Sequence, residues 1–187
     1  MPQRVFVDAN VLFSRTLRDW LFLLRLESQG SLFQIHTTWD VITESGARLR
    51  DKHPEADGRL VSGLIEKSQK IFDEILSDYP GGKVSDIEDR EDWHVHYAAN
   101  ACRAQILLTE DTGFTSEDTF YEAYSCDEFF MEINTSSPKT VQNVTENQAV
   151  YWGRKNGKSL PTALIEAGCP RFAQEVQAHI RRLALKK

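Results

Sequence analysis

Apolar residues recur along this chain with two different periods. The run RVFVD at 4–8 is short, β-branched and aromatic, which predicts a buried strand that ends on a carboxylate, Asp8. From Ser14 the period lengthens. Leu17, Trp20, Leu21 and Leu24 recur at three and four positions and predict a helix that Gly30 ends. LFQIH at 32–36 reads as a second strand, after which Thr37 or Thr38 can cap a helix running through Trp39, Ile42 and Leu49. A helix over about 57–77 would bring Leu60, Leu64, Ile71 and Ile75 inward, closed by YPGG at 79–82. The acidic stretch SDIEDRED leads into an Ala-rich helix in the 90s, and QILLT at 105–109 is a third strand followed by Glu110 and Asp111. A fourth, short strand is expected near 121–125, with Asp127 capping the helix DEFFMEIN. Strands that alternate with helices predict βαβ units and a parallel sheet. SSPK at 136–139 reads as a linker between a domain of residues 1–135 and a helical extension of residues 136–187, with helices at about 139–155, 160–167 and 171–185.

The 187 residues suit one domain with an appendage, and 41% apolar content is enough for a real core. No apolar run approaches the roughly 18 residues of a membrane span, and the acid inside MPQRVFVDAN argues against a signal peptide. Cys102, Cys126 and Cys169 are far apart and form no CxxC, so a reducing cytoplasm is expected. The net charge of -6 is unevenly spread. Residues 136–187 hold nine Lys and Arg against three acids, a net +6, which leaves -12 on residues 1–135.

In open α/β sheets, ligands bind beyond the carboxyl ends of the strands, where the strand order reverses. Asp8 ends the first predicted strand and Asp111 follows the third. Asp92 falls in the first turn of the helix of the 90s, with Asp89 three residues earlier on nearly the same face. Glu44 lies one helical turn before Arg48. Carboxylates gathered at one edge repel each other, and a hard divalent cation, Mg²⁺ or Mn²⁺, removes that repulsion. Such an ion also polarises a water and offsets charge on a phosphodiester, the chemistry of a metal-dependent nuclease. The plainer alternative is a set of solvated acids and helix caps, since a chain with 28 acids places some near strand ends by chance.

Taken in order, VFVDANVLFS with LRDWLFLL, ITESGARL, DREDWHVHYAANACRAQILLTEDTGF and CDEFF resemble the motifs of PIN-domain proteins. They look most like toxin-type PIN ribonucleases (VapC-like) of the branch with a helical C-terminal extension. The resemblance spans residues 4 to about 133, and CPRFAQEV in the tail is similar too. It implies a three-layer α/β/α sandwich with a central parallel sheet of four or five strands. It matches the family's four acids to Asp8, Glu44, Asp92 and Asp111, with Asn10, Asp89 and Thr109 in support. This branch often has Asn at the fourth place, so Asp111 makes the site more acidic. The implied activity is Mg²⁺- or Mn²⁺-dependent cleavage of RNA that leaves 5′-phosphate and 3′-hydroxyl ends. The implied partner is a small protein antitoxin encoded beside the toxin.

Other residues carry two readings each. His94 and His96 point to different helix faces and cannot share a metal; both read as structural, although His96, one turn after Asp92, is placed to flank the site. Arg15, Arg18 and Arg48 either grip RNA phosphates or pair with nearby acids, Arg48 with Glu44 itself. The basic tail either lengthens an RNA groove or docks on the acidic body through Trp152, Phe172, Val176, Ile180 and Leu183, and docking is favoured. Trp20, Leu21, Phe22 and Leu24 give the first long helix either an antitoxin or homodimer interface, or simply a buried position. Two rivals to a nuclease stand. A phosphatase or receiver-type domain with Asp8 as phosphoryl acceptor wants a second acid where Asn10 stands, or a Lys after a late strand, and none occurs between Lys83 and Lys139. A PIN-like RNA-binding or scaffold module would bind RNA without cutting it.

Overall fold

Val5, Phe6 and Val7 are fully buried because β1 (Gln3–Val7) has a strand on each side and helices over both faces. The computed structural model describes residues 1–114, 119–153 and 158–185. Its sheet is all parallel. The strands β1, β2 (Phe33–Thr38), β3 (Glu74–Leu76), β4 (Ile106–Leu108) and β5 (Glu122–Tyr124) stand in the order β3-β2-β1-β4-β5. The chain builds outward from β1 through β2 to β3, then returns to the other side of β1 for β4 and β5. That reversal puts the switch point between β1 and β4, where Val7 is in register with Leu108.

The helices α1 (Ala9–Phe13), α2 (Arg15–Glu27), α3 (Trp39–Lys52), α4 (Arg59–Ile71), α5 (Trp93–Ala101) and α6 (Cys126–Ser136) connect the strands or follow the last of them. The C-terminal helices α7 (Pro138–Gly153), α8 (Leu160–Glu166) and α9 (Pro170–Ala184) complete the sandwich. One buried cluster runs from Val5 to Val176. Phe172 of α9 lies edge-on to Trp20 of α2 at 4.9 Å and against Phe130 of α6 at 5.1 Å. The tail therefore packs on the body, with Phe172 and Val176 fully buried and Trp152 and Ile180 against the same cluster. Trp20, Leu21, Phe22 and Leu24 are likewise buried within the chain, the plainer of their two readings. No helix among the described residues is long and apolar enough to cross a membrane.

Four local expectations need correction. The helix expected over 57–77 ends at Ile71, and Ile75 belongs to β3. Leu64, Ile71 and Ile75 keep helical spacing straight through the break, so periodicity cannot mark it. The stop is Asp73, whose carboxylate takes the Arg25 guanidinium and, at 2.8 Å, the Ile35 N–H of β2. Asp127 does not cap α6. Ser125 does, in a capping box with Glu128, while Asp127 is buried and accepts the Phe172 N–H at 2.9 Å. SSPK is not an open linker, because only Ser137 separates α6 from α7. A short helix, α1, also stands where only Asp8's strand and the helix from Ser14 were expected. The expected end of the first tail helix at about 155 lies outside the described residues, whereas the other two tail helices stand within a residue of their expected ends.

Candidate active site at the switch point

β1 delivers Asp8 to the sheet edge, and the Asp8 N–H donates to Leu108 O at 3.1 Å, so pairing with β4 continues past the strand itself. The Asp8 side chain is 4% exposed and caps α1, with Oδ1 accepting from Ala9 N at 2.6 Å. Its Oδ2 accepts from the Thr109 hydroxyl at 2.7 Å and from Asn10 Nδ2 at 3.0 Å. A carboxylate has about four acceptor positions, so the protein occupies most of Asp8's capacity and holds it in one orientation.

Asn10 is the hub of the edge. Its Nδ2 also lies 3.0 Å from Thr109 Oγ1 and 3.0 Å from Asp111 Oδ2, and its Oδ1 accepts the Glu110 N–H at 3.2 Å. Thr109 Oγ1 in turn accepts the Asp111 N–H at 3.1 Å. Neutral groups thus tie Asp8 and Asp111, which follow the adjacent strands β1 and β4, at a fixed separation. α3 brings Glu44 alongside, because Ser45 Oγ donates to Ala9 O at 3.2 Å and packs α3 against the start of α1. Asp89 caps a 3₁₀ turn at Arg90–Asp92 by accepting from Glu91 N at 2.9 Å. Asp92, at the head of α5, makes no capping bond with its side chain. Asp86, Asp89, Asp92 and Asp111 line a cleft of about 430 Å³ with Thr112 and Gly113.

These carboxylates share one electrostatic field. Burial above all raises the Asp8 pKa, the Asp111 charge adds to it, and the hydrogen bonds from Thr109 and Ala9, with Arg48, oppose it. Burial also raises Glu44, whose Arg48 partner at 2.6 Å pulls it down while the Asp8 charge pushes it up. Asp92 is pushed up to about 6, first by burial and then by the charges of Asp8, Asp89, Asp111 and Glu44. All four predicted acids and the supporting Asn10, Asp89 and Thr109 therefore meet at one edge.

Of the three arginines, only Arg48 joins them. Arg15 is exposed, 3.6 Å from Asp19, and Arg18 is buried, donating to Leu12 O at 2.7 Å. His96 takes its structural reading, and His94 is the histidine that stands beside the acids. His96 is buried and bonded to the Tyr121 hydroxyl and Asn100, each at 3.0 Å, whereas His94 Nε2 lies 4.0 Å from Glu44 Oε2. Glu110 was passed over by sequence reasoning. Its carboxylate turns away from the acids to accept the Cys126 N–H at 2.9 Å, and its other oxygen lies 3.4 Å from where a Cβ on Gly168 would sit. It braces the Thr109–Asp111 loop against α6 and the α8–α9 turn, and its signal was simply its place between two site residues.

Among the described residues, no three acidic, histidine or cysteine side chains already form a metal-ligand group. The donor chemistry fits a hard divalent cation nonetheless: oxygen ligands only, with the proton affinity of Asp8, Glu44 and Asp92 raised first by burial and then by neighbouring negative charge. Comparison of the chain with protein-family models, curated proteins and solved structures finds no match.

Proposed function

We propose that this chain is a metal-dependent endoribonuclease of PIN type, hydrolysing RNA to 5′-phosphate and 3′-hydroxyl ends, and the cytoplasmic toxin of a toxin–antitoxin pair. The observation that carries the reading is the shared field of Asp8, Glu44, Asp92 and Asp111 at the β1/β4 switch point. The antitoxin rests on the sequence resemblance alone. Asp8, Glu44, Asp92 and Asp111 would hold Mg²⁺ or Mn²⁺, which supplies neutralising charge and acidifies a water. Asp92, whose side chain makes no capping bond at the head of α5, would be free to complete the oxygen ligand set. Thr109, Asn10 and the Ala9 N–H keep Asp8 in one orientation throughout. Arg48 offers the phosphate a cation beside Glu44.

The test is cleavage of a labelled single-stranded RNA with Mn²⁺. Asp8→Asn and Asp92→Asn are each expected to lose roughly 100-fold or more in rate, on the scale of proton-transfer catalysis. Mg²⁺ should raise the melting temperature of the native chain and leave a chain carrying both Asp8→Asn and Asp92→Asn unmoved. Undiminished cleavage in both variants, or RNA binding with no cleavage at any metal concentration, overturns the reading.

A further inference from the structure

A second cleft, farther along α3 from the acidic edge, has the opposite charge. It has a volume of about 880 Å³ and lies between the α1–α2 junction, the C-terminal half of α3, α4 and α8. Arg15, Arg18, Lys52, Arg59, Lys67 and Lys158 line it, in a chain of net charge -6. Its one lining carboxylate, Glu166, is engaged by Lys158 at 2.6 Å. Arg59 meets Asp57 only at the open surface, where such pairs contribute little. Lys52 lies over the Phe13 ring at 5.0 Å, and among the described residues neither Lys52 nor Lys67 stands in an ion pair.

Arg18 adds a second, independent observation. Its side chain is 10% exposed, its Nε has no hydrogen-bond partner, and Asp19 approaches no closer than 4.0 Å. Its Nη1 donates to Leu12 O at 2.7 Å, so the guanidinium is fixed in place with its charge poorly neutralised, and the field of an anion in the cleft lowers the cost of that buried charge.

The position of the cleft indicates which anion. Glu44, Arg48 and Lys52 fall at i, i+4 and i+8 on α3, so they form one stripe. The stripe covers about 12 Å of helix axis at 1.5 Å per residue and leads from the acidic edge into the basic cleft. Trp152 lines the same cleft and supplies an aromatic surface of the kind on which unpaired bases stack. We infer that the cleft between α3, α4 and α8 binds the phosphate backbone of single-stranded RNA running on from the acidic edge, an inference that rests on the ribonuclease reading. The acidic edge repels phosphates, so affinity for the strand has to be generated elsewhere on the molecule, and this cleft is where the cations are.

The experiment measures binding in EDTA, where no cutting occurs, so binding is read whether or not the chain is a nuclease. A fluorescent single-stranded RNA of mixed sequence is titrated with the full chain and with the Lys52→Gln/Arg59→Gln/Lys67→Gln variant. All three side chains are exposed, so the variant should melt as the native chain does. The variant is expected to bind at least about tenfold more weakly. Its slope of log affinity against log salt should be shallower by about 2, at roughly 0.7 for each lost phosphate contact. Equal affinity and an unchanged slope overturn the inference. Displacement of the RNA by a Glu-rich peptide of equal charge at equal concentration also overturns it, because the cleft would then be a site for an acidic polypeptide. Binding lost in the variant, together with a native chain that cuts nothing in Mn²⁺, leaves the cleft standing and removes only the nuclease.

Discussion

Thr109 shows how much one hydroxyl can organise. It donates to Asp8 and accepts from Asn10 and the Asp111 N–H, and it is 2% exposed. Thr109→Val keeps the shape and strands all three partners, so a loss of about 1–3 kcal/mol is expected, read as a melting temperature lower by roughly 2–4 °C for each kcal/mol. Asp92 gives a pH signature. Its folded carboxyl keeps its proton up to about 6, against 3.8 for the unfolded chain. The stability it contributes is therefore complete below about 3.8 and lost as pH rises through about 6. His36, His96 and His179 are lowered by burial and work in the opposite sense, so the comparison needs a variant. Melting curves without divalent ions should show Asp92→Asn gaining on the native chain between pH 4 and 7. A constant gap across that range would mean that Asp92 titrates as an ordinary carboxyl. The places of the acids were largely legible at this scale, because Asp8 and Asp111 follow strands, and Glu44 and Asp92 sit on helices, that the sequence marks. The nearness of His94 to Glu44 was not, because two positions on one helix differ only in what other segments bring against them.

At the scale of elements, the sequence reads well where a cap or a change of period marks a boundary and poorly where neither does. Thr38 caps α3 through the Val41 N–H as its position suggested. β3 was hidden because three residues are too few for an alternating pattern and its Ile75 continued the spacing of α4. What makes residues 74–76 a strand is long-range: Asp73 bonds Arg25 of α2 and the Ile35 N–H of β2. Asp73→Ala removes both and leaves Arg25 unpaired, so a loss of about 2–3 kcal/mol is expected in a denaturant titration, without loss of the acidic edge at the carboxyl ends of β1 and β4. A smaller effect, below about 0.5 kcal/mol, would show that β3 is held by its ladder alone.

Across the whole molecule, charge is sorted. The acids of the 86–92 segment and Asp111 face one cleft, while six cations face another across α1 and α3. The tail belongs to the body, and Phe172 is the residue that joins them, touching Trp20 and Phe130 and donating its N–H to Asp127. Phe172→Ala should cost about 3–5 kcal/mol and lower the melting temperature of the entire chain in a single transition. A separate, earlier transition confined to the tail would instead make it an independent unit. That same contact sets a clock on biosynthesis. The cluster around Trp20 and Phe130 stays open until α9 has been made, and the 48 residues that follow Ser136 up to Ala184 take a ribosome roughly 2–10 s at 5–20 residues per second. Until then Trp20 and Phe130 have no aromatic partner from the tail, so a nascent chain that stops short of α9 carries an unfilled core and an apolar surface that invites aggregation.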